Sequence, residues 1–333
     1  MSLIDRIPEN EASLTRKSPF PDWMDPMLAT LTTDYFSDPE WLFERKFDGE
    51  RCIAFRNGEN IRLRTRNNKN LNATYPEVHD AIQNLSADNF VIDGEIVAFE
   101  GSVTSFSRLQ ERLQIKDQRE AEESPVSVFY YIFDLMYLEG YDICNLPLRT
   151  RKSLLEDLIT FEDPLRFSVH RDETGLECYR TACRKGWEGV IAKRAESRYL
   201  HKRSQDWKKF KCVNEQEFVI GGYSEPRGSR TGFGALLLGY YEGGRLRYAG
   251  KVGTGFNDRT LQELYGELSR RERNVSPFTD DTGNRKGIHF VNPELVCEVG
   301  FTEWTGDGKL RHPRFLGMRT DKRAGEVVRE RPD

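Results

Sequence analysis

The chain lacks any apolar run approaching the roughly 20 residues that cross a bilayer, and its first twenty residues (MSLIDRIPENEASLTRKSPF) lack the apolar core of a secretory signal. Neither membrane insertion nor export is expected. Histidine is scarce, with five in 333 residues. The six cysteines (Cys52, Cys144, Cys178, Cys183, Cys212, Cys297) form no Cys-x-x-Cys pair and have no histidine at zinc-ligand spacing. That pattern argues against a zinc or redox centre, and the expectation is reduced, mostly buried thiols. A strong net charge is absent too: 50 basic against 54 acidic residues leave a formal −4. What is present is ordinary for a globular protein, 37% hydrophobic and 31% charged, at a length that exceeds one core and predicts two domains.

The missing basic excess would argue against a nucleic-acid partner, since phosphate binding is driven by Lys and Arg. Distribution matters more than the sum. Lys193 to Lys211 holds eight basic residues against two acidic ones, Lys309 to Arg331 forms a second basic tract, and Arg56, Arg62, Arg64, Arg66 and Lys69 a third. Acidic residues gather elsewhere, as between Glu111 and Glu123. A single run of this kind is usually a solvated face, but the segregation suggests a basic groove on an acidic body.

Periodicity predicts strands at Trp41–Phe47, Phe90–Phe99, Val126–Tyr137, Trp187–Arg194 and Asp206–Lys211, and a hairpin of Arg51–Arg56 with Asn60–Arg66 around Asn57-Gly58. The first strand and the hairpin read as one antiparallel meander. Helical spacing marks Tyr75–Leu85, Phe106–Leu113, Arg151–Ile159 and Gly175–Lys185. Beyond about residue 213 come short strands at Glu217–Tyr223, Ala235–Tyr241, Arg245–Val252 and Leu295–Trp304 with a helix at Asp258–Arg273, which suits a small Greek-key barrel of the oligonucleotide-binding (OB) type. The expected organisation is α+β: a mobile tail over 1–25, a first domain over 26–213 and an OB-fold domain over 214–333.

The chemistry concentrates at Glu44-Arg45-Lys46-Phe47-Asp48-Gly49-Glu50-Arg51, where an Asp-Gly turn could aim a lysine at a bound phosphate. The plain alternative is a solvated lysine before a hairpin. Further clusters follow at predicted strand ends: Asp93-Gly94-Glu95, Phe133-Asp134, Glu188-Gly189-Val190-Ile191-Ala192-Lys193, and Trp207 to Lys211, in which Lys209 and Lys211 share a face. Each has a structural explanation as well: Phe133 as core, Glu95 and Glu188 as partners of structural arginines, the two lysines as an edge-strand device.

Taken in order, these motifs and the terminal Arg319-Thr320-Asp321-Lys322 resemble the collinear motifs of the ATP-dependent DNA ligases, from about Pro26 to Arg323. His312 to Gly317 and Gly250 to Phe256 resemble compact bacterial members, especially the ligase module of the bacterial non-homologous end-joining protein. The resemblance implies a nucleotidyltransferase (adenylation) domain of antiparallel sheets with flanking helices, followed by the OB barrel. It implies that Lys46 takes AMP from ATP and that Glu44 accepts a hydrogen bond from the adenine amino group. Arg51 and Arg66 would lie near the ribose and the nicked strand, Glu95 at the ribose and metal, and Phe133 against adenine. Glu188 would bind the metal, Lys209 and Lys211 the α-phosphate, and Arg319, Asp321 and Lys322 the departing pyrophosphate. ATP with Mg2+, or Mn2+ in its place, is the expected cofactor set, because the candidate ligands are carboxylates and phosphates. A nucleophilic lysine must be neutral, so neighbouring cations and desolvation are expected to depress its pKa.

The implied activity is sealing of 5′-phosphate/3′-hydroxyl nicks in duplex DNA, with a Ku-type end-binding protein and a repair polymerase as further expected partners. A monomer in the bacterial cytosol or nucleoid is expected. An RNA ligase or guanylyltransferase would share the lysine motif, but the terminal Arg-x-Asp-Lys and the extended barrel favour the DNA enzymes. A non-catalytic binding module on a degenerate ligase fold would show decay in some motif, and none does.

Overall fold

The computed structural model describes residues 2–331 except 114, 173, 213, 227, 229, 281, 284 and 285, so the expected boundary at 213 itself lies outside the described residues. They divide into two compact units, the first holding the chain up to Cys212 and the second running to Glu330.

The first unit is built on two sheets. The larger has eight strands and runs Arg16–Lys17, Tyr141–Asp142, Val128–Leu138, Asn89–Glu100, Glu50–Asn57, Asn60–Thr65, with Val103–Thr104 and Leu165–Phe167 attached to its long central strands. The smaller has five, in the order His170–Asp172, Trp41–Lys46, Gly189–Arg194, Arg203–Lys211, Leu28–Leu31. Alternation decides which residues go where. Ile92, Ile96, Tyr130 and Ile132 turn to one face of the large sheet and share a core with Leu109, Leu154 and Leu155 of the flanking helices. Trp41, Phe43, Val190 and Phe210 turn outward from the small sheet and pack with Ala182 of the Gly175–Arg184 helix. Ile53, Val91, Phe133 and Met136 of the large sheet meet Trp207 of the small one in a third cluster.

The anticipated meander does not form. Trp41–Lys46 and Glu50–Asn57 belong to different sheets, and Phe47-Asp48-Gly49 crosses between them. Each crossing residue is held. The Phe47 ring stacks on Tyr131 with centroids 4.1 Å apart. Asp48 accepts the Phe106 N–H at 3.0 Å, at the first residue of the Phe106–Leu113 helix, and its own N–H donates to Thr104 Oγ1 at 3.3 Å. Gly49 passes so near the Asn89–Glu100 strand that a Cβ would sit 2.3 Å from the Ile96 carbonyl oxygen. The hairpin does form, closing at Asn57 opposite Asn60 with Gly58 at φ 60°.

Three further expectations are corrected. Asp93, Glu95 and Phe133 lie inside strands of 12 and 11 residues rather than at strand ends; the strands follow the periodicity, and the motifs fall within them because pairing runs on both sides of each. The described residues before 26 are seated rather than mobile: Arg16–Lys17 joins the large sheet, Trp23 stacks on Phe55, and Arg62 donates to the carbonyls of Asp22 and Pro21. Cys183 and Cys212 are disulfide-bonded, not reduced, with Cα atoms 5.1 Å apart. The Gly175–Arg184 helix lies over the end of the Arg203–Lys211 strand and brings together cysteines 29 residues apart, a proximity invisible in their spacing.

In the second unit the long Asn214–Ser224 strand pairs with Leu236–Glu242, Ile288–Val291 and Val296–Phe301, and bends at a register shift between Ile220 and Gly222. Arg245–Val252 extends one side and Arg314–Met318 the other. Phe315 N–H donates to the Thr254 carbonyl at 2.9 Å, linking the two ends. Leu261, Leu264 and Leu268 of the Asp258–Ser269 helix, capped by the Asn257 side chain, close the core. This is the OB-type barrel.

Gly49→Ala is expected to lower stability by about 1–3 kcal/mol, because the added methyl meets backbone that cannot retreat without moving a central strand. An unchanged urea midpoint in that variant would show that the crossing is looser than described.

Candidate active site

Sheet register assembles the charged residues. Gly189 pairs with Lys46 on one side and with Lys211 on the other, and Ile191 pairs with Glu44 and Lys209 in the same way. Directly paired positions share a face, so Lys46, Glu44, Lys209 and Lys211 all point the same way, with the lysine pairs about 10 Å apart across two strand spacings. Trp207, two positions before Lys209, marks that face as the one turned to Phe133 of the large sheet. Gly189 has to be glycine, since a Cβ there would lie 1.9 Å from the Phe210 carbonyl oxygen.

Lys46 ends its strand paired with Glu188 Oε1, and its side chain is 19% exposed. Burial pushes its pKa down and Lys211 adds to that, but Glu188, helped by Asp48, prevails and the net direction is up. The expected depression is therefore reversed in this state: the amine is held as an ammonium by its own counterion. Glu188 Oε2 is buried and has no hydrogen-bond partner among the described residues.

The large sheet supplies the opposing wall. Arg51 forks onto Asp93, with Nε and Nη2 donating at 2.5 and 2.6 Å, and its guanidinium lies 4.7 Å from the Phe133 centroid. Asp93 is fully buried and also accepts from the Tyr199 hydroxyl at 2.5 Å. Its burial is compensated by Arg51 and Tyr199. Glu95, half-buried, pairs in register with Arg51. Thr65 pairs with Cys52, so Arg66 follows at the same end of the sheet as Arg51, in the turn after the edge strand. Asp134, beside Phe133, is structural: Arg151 forks onto it, with both side chains fully buried.

Glu44 is 3% exposed and accepts three donors: Lys152 Nζ at 2.9 Å on Oε1, and Ser168 Oγ at 2.9 Å and Lys193 Nζ at 3.0 Å on Oε2. Burial alone would raise its pKa, but the two lysines overcome burial and bring it down to about 2. Burial conversely pushes Lys193 down to about 8, against the pull of Glu44. Lys193 Nζ also sits 4.2 Å from the Phe133 centroid and 4.3 Å from that of Trp207. Sequence reasoning missed Lys152, Ser168 and Tyr199, which no motif singles out and which only the tertiary fold brings here.

In the barrel unit, Glu217 and Glu298 face each other on paired strands, a repulsive arrangement. Arg319 relieves it, donating to Glu298 at 2.7 Å and to both Asp321 oxygens at 2.9 Å, while Lys322 pairs with Glu217 at 2.9 Å. Arg319 is 8% exposed, so in this conformation the terminal motif serves the barrel's own ion network.

Comparison with known families decides what the arrangement belongs to. The model of the ATP dependent DNA ligase domain matches residues 26–211, and that of the ATP dependent DNA ligase C terminal region matches 229–322. The chain belongs to the ATP-dependent DNA ligases. The ligase is similar to the multifunctional non-homologous end joining protein LigD of Pseudomonas aeruginosa, 39% identical over 324 residues, covering 95% of this chain and 38% of that one. The LigD of Mycobacterium tuberculosis is 38% identical over 315 residues, 93% of this chain and 40% of that one. A solved structure of mycobacterial DNA ligase D complexed with ATP and MES matches 92% of the ligase and 98% of that chain, with 35% identity and a TM-score of 0.65. The ligase spans about two fifths of the length of the two end-joining proteins.

The Glu44 pairing has a pH signature. A carboxylate whose folded pKa is lowered contributes stability above its unfolded value, near 4.5, that is lost as pH falls toward 2. The stability gap between wild type and Glu44→Gln should narrow by about 3 kcal/mol as pH drops from 5 toward 2 in urea titrations. A gap that stays constant would rule the pairing out.

Proposed function

We propose that Lys46 is the nucleotide-accepting amine and that the ligase seals 5′-phosphate/3′-hydroxyl nicks in duplex DNA through three displacements. The observation that carries this reading is the row Lys46, Gly189, Lys211 on one sheet opposite Arg51 and Phe133 on the other. Lys46 Nζ, once its proton has left, attacks the α-phosphorus of ATP. The N–P bond forms, the bond to the β-phosphate breaks, and pyrophosphate departs. The AMP then passes to the 5′-phosphate of the nick, freeing Lys46, and the 3′-hydroxyl displaces AMP to close the strand. Glu188 is paired with Lys46 and can accept its proton, and what draws Glu188 away leaves burial and Lys211 favouring the neutral amine against Asp48 alone.

Phe133 presents the ring on which adenine stacks, and Arg51, positioned by Asp93, lies beside it for the ribose. Lys209 and Lys211 bring positive charge to the α-phosphate, where charge develops in the transition state. No group of three or more His, Cys, Asp or Glu gathers among the described residues, so a divalent cation would rest on two carboxylates together with substrate phosphates: Glu188, with one buried oxygen unpartnered among the described residues, and Glu95 on the facing sheet. Both would hold Mg2+ or Mn2+, which when bound supplies charge neutralisation at the phosphoryl oxygens.

Lys46→Ala is expected to abolish covalent labelling by α-labelled ATP and to lower nick sealing by at least about a thousandfold, as loss of a covalent nucleophile does. Labelling that survives would move the nucleophile elsewhere.

We further propose a role in double-strand break repair beside a Ku-type end-binding protein and a repair polymerase, in the bacterial cytosol or nucleoid. Its support is the likeness to the two end-joining proteins. Addition of a Ku-type protein should raise joining of cohesive double-strand ends several-fold while leaving nick sealing nearly unchanged. Good nick sealing with no response of end joining would argue for another repair pathway.

A further inference from the structure

Glu44 is two residues from Lys46 on the same strand face, yet three buried donors hold it, more than a solvated recognition carboxylate needs. Lys152 comes from the Leu148–Leu158 helix, Ser168 from the segment after Leu165–Phe167, and Lys193 from the neighbouring strand. All three are no more than 1% exposed. Lys152 also donates to the Ser168 carbonyl at 3.0 Å, so two of the donors are tied together. Lys193 lies at once against Glu44 and over the Phe133 ring, which sets the carboxylate's place relative to the stacking surface.

Each carboxylate oxygen has two lone pairs. Oε2 uses both on Ser168 and Lys193, whereas Oε1 receives one donor, Lys152, among the described residues. One acceptor position remains. A fixed acceptor beside the stacking ring takes a purine amino group at C6 and repels a carbonyl there, because two acceptors then face each other.

We propose that Lys152 is a positioning residue for nucleotide selection: with Ser168 and Lys193 it fixes the Glu44 carboxylate so that its remaining lone pair favours a 6-amino purine over a 6-oxo purine. The inference rests on the reading of Glu44 as the acceptor for the base. Burying two ammonium groups against one carboxylate is a poor route to stability, since desolvation offsets most of the attraction, and the arrangement makes more sense as a device for orientation.

The test compares covalent nucleotidyl transfer from ATP and from ITP, which differ at C6, in the full chain. Lys152→Met should raise KM for ATP about tenfold or more, the effect of misplacing one charge-assisted hydrogen bond, with a smaller change in kcat. It should also reduce the ATP-over-ITP preference about tenfold, and Lys152→Arg should restore much of it. Ser168→Ala, a smaller change, should shift the preference in the same direction and serves as the deciding variant if Lys152→Met does not fold. Loss of ATP and ITP use in equal proportion, in whichever of these variants folds, would overturn the proposal and leave Lys152 a purely structural ion. Glu44→Gln separates the two layers. If it leaves the preference unchanged, Glu44 does not read the base and the underlying reading fails. If it erases the preference while Lys152→Met and Ser168→Ala do not, only the positioning role fails.

Discussion

The arrangement of the site depends on a three-residue crossing, Phe47 to Gly49, that takes the chain from the small sheet to the large one. Lys46 stands at its near end, and Arg51, with Phe133 two strands away, stands beyond its far end. A link so short leaves little slack. Its residues are secured by a ring stack, a helix-end hydrogen bond and a backbone approach that tolerates no side chain. The distance between Lys46 and the wall that carries Arg51 and Phe133 is therefore set by covalent geometry as well as by packing.

Within that frame the cleft is furnished with buried ion pairs: Arg51 on Asp93, Arg151 on Asp134, Lys152 and Lys193 on Glu44. None of these is a strong argument for stability, because removing charges from water offsets most of what the pairs return. Their directional content is greater. The Arg51 fork fixes the guanidinium plane beside the Phe133 ring, and the Arg151 fork on Asp134 anchors the strand that carries that ring. Charges are kept where orientation matters, while Ile92, Tyr130, Leu154 and their neighbours supply the apolar core on the far face.

Local signals were legible and non-local ones were not. The Phe106–Leu113 helix, the Arg245–Val252 strand and the Asn57-Gly58 hairpin follow from periodicity and turn chemistry, and the structure places them as read. The two-sheet division was hidden, because Trp41–Phe47 and Arg51–Arg56 look like hairpin partners until Asp48 is seen at the start of a helix 58 residues on. The same blindness hid the Cys183–Cys212 bond and the seat of the described residues before 26, which depend on sheet register and on surfaces formed by distant segments. In the candidate site, the motifs read from the sequence do come together: neighbouring strands carry Lys46, Lys209 and Lys211 in register, with Glu188 just before the middle strand. Lys152 and Ser168 were not legible, since a lysine in an amphipathic helix and a serine in a loop carry no mark of their destination.

Gathering Lys46, Lys209, Lys211 and Arg51 on the facing sides of two sheets creates a repulsion that a protein of net charge −4 does not relieve by its average composition. Acidic neighbours relieve it locally, and two of them do so in different ways. Asp93 is fully buried and holds Arg51 from behind with both oxygens, so its counter-charge is permanent. Glu188 reaches Lys46 through one oxygen and keeps the other unpartnered among the described residues, so its counter-charge is only partly committed. That uncommitted oxygen is the weak point of the pairing: a cation or donor bound there would compete with Lys46 for Glu188. Loss of the pairing would leave burial and Lys211 lowering the pKa of the amine against Asp48, whereas any anion placed beside it would raise that pKa again.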